Sequence, residues 1–161
     1  MCCQGANPPL TISRKKMIMD YLQRQKAPIS EIFVDEAYSH PTADSEDYCA
    51  LYNKKNRKCS VHPVKPETCV AGPITFDINL KTQKVEWFLK KASICVFAQK
   101  LYEDKERFST HLRAAQVELM RLISKLDAQS LMAIVRIPEP ETFKVAENDL
   151  PQEIKDKLGI A

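Results

Sequence analysis

At 161 residues the chain is about one domain, long enough to bury a core, and its 44% hydrophobic and 28% charged content is that of an ordinary soluble globular protein. A net charge of +3, spread along the chain, permits an acidic partner without requiring one. Three glycines, Gly5, Gly72 and Gly159, leave no glycine-rich phosphate loop, and no stretch approaches the roughly 18 apolar residues that span a bilayer.

Taken in chain order, residues 1–9 are too short and too proline-rich for a regular element. Thr11 and Ser13 can cap a helix that runs through Gln25, because Ile12, Met17, Ile18, Tyr21 and Leu22 recur at helical spacing and Pro28 lies just beyond. Residues 29–37 fit either helix or strand. Residues 40–47 read as a polar loop. Residues 48–52 and 58–62 read as the two arms of a short hairpin, with its turn over 53–57. A second hairpin is expected over 74–80 and 84–89, since Phe76, Ile78 and Leu80 alternate with polar residues at the period of a half-buried strand.

From about Ser93 to Leu126 the pattern becomes helical. Leu101, Phe108, Leu112, Ala115, Leu119, Leu122 and Leu126 form one apolar stripe, and no glycine or proline lies between Pro73 and Pro138 to break it. One long helix is therefore expected, its stripe serving as a packing face; a homodimer through that face is the alternative use. Residues 131–137 fit a strand or a buried helix, and a short surface helix is expected over 151–158. The whole is expected to be one α+β domain over 1–161. A cysteine-rich region with short hairpins (1–95) packs against helical support (96–137), followed by a C-terminal tail with a short helix (138–161).

The six cysteines are Cys2, Cys3, Cys49, Cys59, Cys69 and Cys95, and none lies beyond residue 95. The chain does not open on a charged stretch followed by an apolar one, so no secretory signal is read and a cytoplasmic location is expected. There, converging thiolates hold metals or do redox work more often than they form disulfides. Nine residues separate Cys49 from Cys59, nine separate Cys59 from Cys69, and 25 separate Cys69 from Cys95. These are not the tight knuckles of common zinc fingers. Cys49 and Cys59 lie on opposite hairpin arms, Pro63 and Pro66 stiffen the path to Cys69, and Cys95 sits near a helix start, which favours a thiolate.

His62 follows Cys59 closely enough to be a nitrogen ligand, although its place before Pro63 suits a turn equally. His40 and His111 have no thiol neighbours in sequence. Lys54, Lys55, Arg57 and Lys58 read as a solvated turn. No aromatics are interleaved with these charges, which disfavours nucleic acid. Asp35, Glu36, Asp44, Glu46 and Asp47 read as solvated acids. No nucleophile elbow and no H-E-x-x-H motif occurs, so a hydrolase built from side chains alone is not supported, and no reaction is assigned.

The stretch Cys59-Ser60-Val61-His62-Pro63-Val64-Lys65-Pro66-Glu67-Thr68-Cys69, with Cys49 before it, resembles the central signature of the YkgJ-type cysteine-cluster family of zinc- or iron-chelating domains. Its members carry an N-terminal C-x3-C-x2-C-C cluster, a Thr-led helix, that signature, and a downstream cysteine. Cys2 and Cys3 resemble the final pair of the cluster, Leu10-Thr11 the helix entry, and Cys95 the downstream cysteine. The likeness covers about residues 2–100. It departs in lacking the two upstream cysteines: either the native start lies upstream or the site is reduced. The resemblance implies metal chelation in a cytoplasmic bacterial or archaeal protein, with no set reaction. The expected ligands are Cys49, Cys59, Cys69 and Cys3, with Cys2 and Cys95 next. A closed thiolate zinc site with a structural or regulatory role is the first expectation. The alternative is an iron–sulfur cluster with an electron-transfer or oxidoreductase role. S-acylation of Cys2-Cys3, a vicinal redox pair, or simple packing cysteines are the remaining uses. An unidentified protein partner is compatible with any of these.

Overall fold

The computed structural model describes residues 3–139 and 141–160. Cys2 lies outside the described residues. The fold is α+β, and among the described residues most buried apolar side chains fall into two clusters.

The smaller cluster gathers the first third of the chain. Helix α1 (Ile12–Arg24) starts where expected: the Thr11 hydroxyl accepts from Arg14 N at 3.1 Å. Its face carries Ile18 and Leu22 inward, onto Leu10, Leu51 and Val61. Residues 29–37 resolve to a strand, β1 (Phe33–Asp35), pairing antiparallel with β2 (Ser39–Pro41). The start of the expected loop at His40 is thus a strand, and His40 is buried there with its ring nitrogen 2.9 Å from Pro41 O. The cysteine hairpin is shorter than expected. Only β3 (Tyr52–Asn53) and β4 (Lys58–Cys59) pair, and Cys49 sits ahead of the arm, bridged to Ala43. A 3-10 turn at His62–Val64 then leads to α2 (Glu67–Ala71).

The larger cluster is built on a three-stranded antiparallel sheet in the order β5 (Ile74–Asn79), β6 (Lys84–Lys90), β7 (Thr142–Asp149). The β5–β6 hairpin lies where its alternation predicts it. Strand β7 corrects the expected tail. A register shift between Trp87 and Phe88 breaks its alternation, so it carries no clean period-2 signal, and only pairing with β6 reveals it. Trp87 is buried at the centre of the sheet, its Nε1 donating to Asn148 Oδ1 at 2.6 Å.

The single long helix is also corrected. It is two helices, α3 (Val96–Glu103) and α4 (Lys105–Lys125), broken at Asp104. Asp104 is extended (φ −93°, ψ 94°) and its carboxylate accepts from Arg107 N at 3.1 Å, an N-cap that needs neither glycine nor proline. The seven-residue step from Leu101 to Phe108 concealed the break. Ala115, Leu119 and Leu122 of the stripe are buried in this chain's own core. Residues 131–137 fall mostly within helix α5 (Ala128–Ile134), and α6 (Gln152–Leu158) closes the fold with Ile154 buried. No helix among the described residues is long and apolar enough to cross a membrane.

On the surface of this sheet, hydrogen bonds from Lys144 and then Lys84 hold the Glu147 carboxyl down at about 2. A depressed carboxylate stabilises the fold above its ordinary value of 4.5 and loses that contribution as pH falls toward about 2. Glu147→Gln is therefore expected to flatten the acid dependence of the melting temperature between pH 4.5 and about 2. Parallel melting curves for the two proteins would refute it. The effect is small, because the pair is at the surface.

Candidate metal centre

Three of the expected ligands come together on backbone that the first strands set. Cys49 N donates to Cys3 O at 2.9 Å, and Gly5 N donates to Asp47 O at 2.9 Å, so the N-terminal segment is zipped onto residues 47–49. Gly5 makes this turn at φ +65°, where a side chain would be strained and its Cβ would sit 3.4 Å from Asp47 Oδ2. Tyr52 pairs with Cys59 across the hairpin, and Tyr52 N donates to Cys49 O at 2.8 Å, which places Cys49 and Cys59 on the same small core. Cys69 returns to them on α2.

Cys3, Cys49, Cys59 and Cys69 border one cavity of about 30 Å³. Its other walls are mostly apolar: Ala6, Pro8, Leu51, Pro66 and the Tyr52 ring. Cys3, Cys49 and Cys59 are half-buried and Cys69 is exposed. Burial pushes the Cys49 thiol above its ordinary value, and negative charge on Cys59 pushes it the same way. A cation between the sulfurs would relieve both costs. Among the described residues, no three or more His, Cys, Asp or Glu side chains form a ready-made ion cage. The four cysteines thus border one cavity without forming a closed ligand set.

Cys95 is not brought to this cavity. It is the residue before α3 and packs against the sheet-side cluster. His62 is exposed on the 3-10 turn and does not line the cavity. His111 reaches from α4 to Ala71 O at 3.0 Å, tying down the end of α2. The acids of the 40–47 loop brace the hairpin: Asp44 Oδ2 lies 2.7 Å from Lys54 Nζ, and Glu46 also binds that lysine. Lys54 lies 4.8 Å from the Tyr48 ring centroid, and Tyr48 stacks on Tyr52 at 5.2 Å.

Sequence reasoning missed Arg14 and Glu67. Glu67 is buried two residues before Cys69, and its Oε1 accepts from the Thr11 hydroxyl at 2.6 Å. Arg14 Nε lies 3.8 Å from the same oxygen, Nη1 donates to Lys65 O at 2.9 Å, and Nη2 binds Glu118 of α4. No local pattern marks these residues, because Arg14 meets Lys65 and Glu118 at 51 and 104 positions along the chain and Glu67 meets Thr11 at 56.

The chain matches the family model CxxCxxCC, described as "Putative zinc- or iron-chelating domain", over residues 1–108. It belongs to that family. The family name spells a first spacing of two residues where three were expected, and Cys2-Cys3 is the adjacent cysteine pair in this sequence that resembles its close. Membership makes metal binding the role of the cysteine half. No curated protein and no solved structure matches the chain.

Proposed function

We propose that the protein holds a single zinc ion on Cys3, Cys49, Cys59 and Cys69, in a closed site whose role is structural or regulatory. The observation that carries this reading is that cysteines from four separate stretches border one cavity of about 30 Å³. The nine-residue spacings between Cys49, Cys59 and Cys69 match neither ferredoxin pattern, which favours one ion over an iron–sulfur cluster. The donor set fits zinc, which takes four thiolates in a tetrahedron and, when bound, neutralises their charge. The cysteines would hold the ion after rotation of their side chains, with Pro8, Leu51 and Pro66 as apolar walls beside them. With every position filled by the chain, no site is left open for substrate, which favours structure or sensing over catalysis. A reducing compartment such as the cytoplasm keeps such thiols available.

The test is anaerobic purification with elemental analysis and an absorption spectrum of the same sample. A colourless protein with about one zinc per chain is the expected result. A brown protein carrying several irons per chain would replace this reading with an iron–sulfur one. A chain with neither metal would sink it.

A further inference from the structure

We infer that Arg14 and Glu118 are positioning residues for the cysteine site, holding the Lys65–Cys69 strap where Cys69 can share an ion with the other three thiols. This rests on the metal-holding reading above and adds the means by which the C-terminal half takes part.

The strap has little of its own to hold it. Helix α2 has five residues, and its N-terminal neighbour Pro66 provides no side-chain cap. Its place is set from outside. Arg14 grips it on both sides of Pro66, a cavity wall: Nη1 donates to Lys65 O at 2.9 Å, and Nε lies 3.8 Å from Glu67 Oε1. The guanidinium is itself aimed by Glu118, whose Oε1 binds Nη2 and whose Oε2 accepts from Arg121 Nη1 at 2.9 Å. At the other end of α2, His111 binds Ala71 O. Arg14 lies within the family match, whereas His111 and Glu118 lie beyond residue 108, where it ends. Helix α4 therefore acts as a jig for the chelating half.

The charges make this a sensitive joint. The Arg14 and Glu67 side chains are only 12% and 2% exposed. Among the described residues, Glu67 Oε2 is buried without a hydrogen-bond partner, so this carboxylate relies on Thr11 and Arg14. Removing one partner of a buried ion pair leaves the other charge uncompensated and is strongly destabilising. Without Glu118, Arg14 is expected to swing onto Glu67 and release the Lys65 carbonyl, which loosens the strap and Cys69 with it. Groups that hydrogen-bond metal ligands typically set affinity by about 10–100-fold, and Arg14 and Glu118 act one step further out, through the segment that carries Cys69, so the lower end of that range is expected.

The test titrates the full-length apo protein with cobalt(II) under anaerobic conditions, followed by zinc competition against a chromophoric chelator. Wild type, Glu118→Gln, Arg14→Lys and Ile154→Ala are compared, the last removing a buried side chain from the other cluster. Wild type is expected to develop sulfur-to-cobalt charge-transfer bands. Glu118→Gln and Arg14→Lys are each expected to bind about 10-fold more weakly, with those bands reduced. Ile154→Ala is expected to melt earlier yet bind as wild type does. Wild-type affinity and bands in both Glu118→Gln and Arg14→Lys would overturn the inference, whatever their melting temperatures. If circular dichroism shows Glu118→Gln unfolded, Arg14→Lys alone decides. A wild-type chain that shows no thiolate–cobalt bands would instead overturn the metal site itself, a result distinct from failure of the jig.

Discussion

Cys59→Ser is expected to remove stoichiometric zinc from the purified protein and to weaken binding by more than the roughly 10–100-fold that loss of a supporting residue costs. Cys59 sits on β4, pinned by its pairing with Tyr52 and half-buried against the small cluster. A serine there keeps the shape of the side chain but replaces a soft, ionisable sulfur with a hydroxyl that stays protonated. Zinc then has three thiolates and an opening for water. The matched control is Cys95→Ser. Cys95 packs on the sheet-side cluster, away from the cavity, so its loss is expected to leave zinc stoichiometry unchanged. Elemental analysis of both variants, with chelator competition, reads the difference. Equal zinc content in Cys59→Ser and wild type would rule out Cys59 as a ligand. Zinc loss in Cys95→Ser would mean that the cavity is not where the ion sits.

Removing the metal is expected to loosen one half of the molecule and spare the other. Among the described residues, the cluster beneath the cysteines has five buried members, Leu10, Ile18, Leu22, Leu51 and Val61, whereas the sheet-side cluster has fifteen. The strands of this half, β1 to β4, are two or three residues long, too short to be stable by themselves. A region with so little apolar burial draws folding free energy from its ion, as small metallo-domains do. By linkage, an ion present at about 100 times its dissociation constant contributes about 2.7 kcal/mol. Chelation should therefore speed amide exchange about a hundredfold at Cys49, Tyr52 and Ser60, whose amides are bonded within this region. The amides of β6 and of α4 around Leu119 should keep their protection. Uniform loss of protection along the chain would show that the two clusters melt as one unit. Unchanged exchange at Cys49, Tyr52 and Ser60 would show that the ion contributes nothing to the fold.

Much of the site was legible because its signals are local. The run from Cys59 to Cys69, with two prolines between, announces a strap that returns a third thiol to a hairpin. Thr11 announced α1, since a cap acts within one turn. The alternation over β5 and β6 announced their hairpin. Asp104 is as local a signal: an aspartate can end one helix and cap the next with no glycine or proline present.

The amino-acid sequence by itself determined the chemistry available to this protein: six thiols confined to the first 95 residues, family membership over 1–108, and the faces of α1 and α4 that must be buried. Only the tertiary structure decided how those parts are used. It placed Cys3 beside Cys49 through a backbone ladder, sent Cys95 to the other cluster, added β7 to the sheet, and set Arg14 between Glu67 and Glu118. Caps and periodicities act over a few residues, so the chain states them directly. Strand partners and buried ion pairs join positions tens of residues apart, and they become definite only once packing has chosen which faces meet.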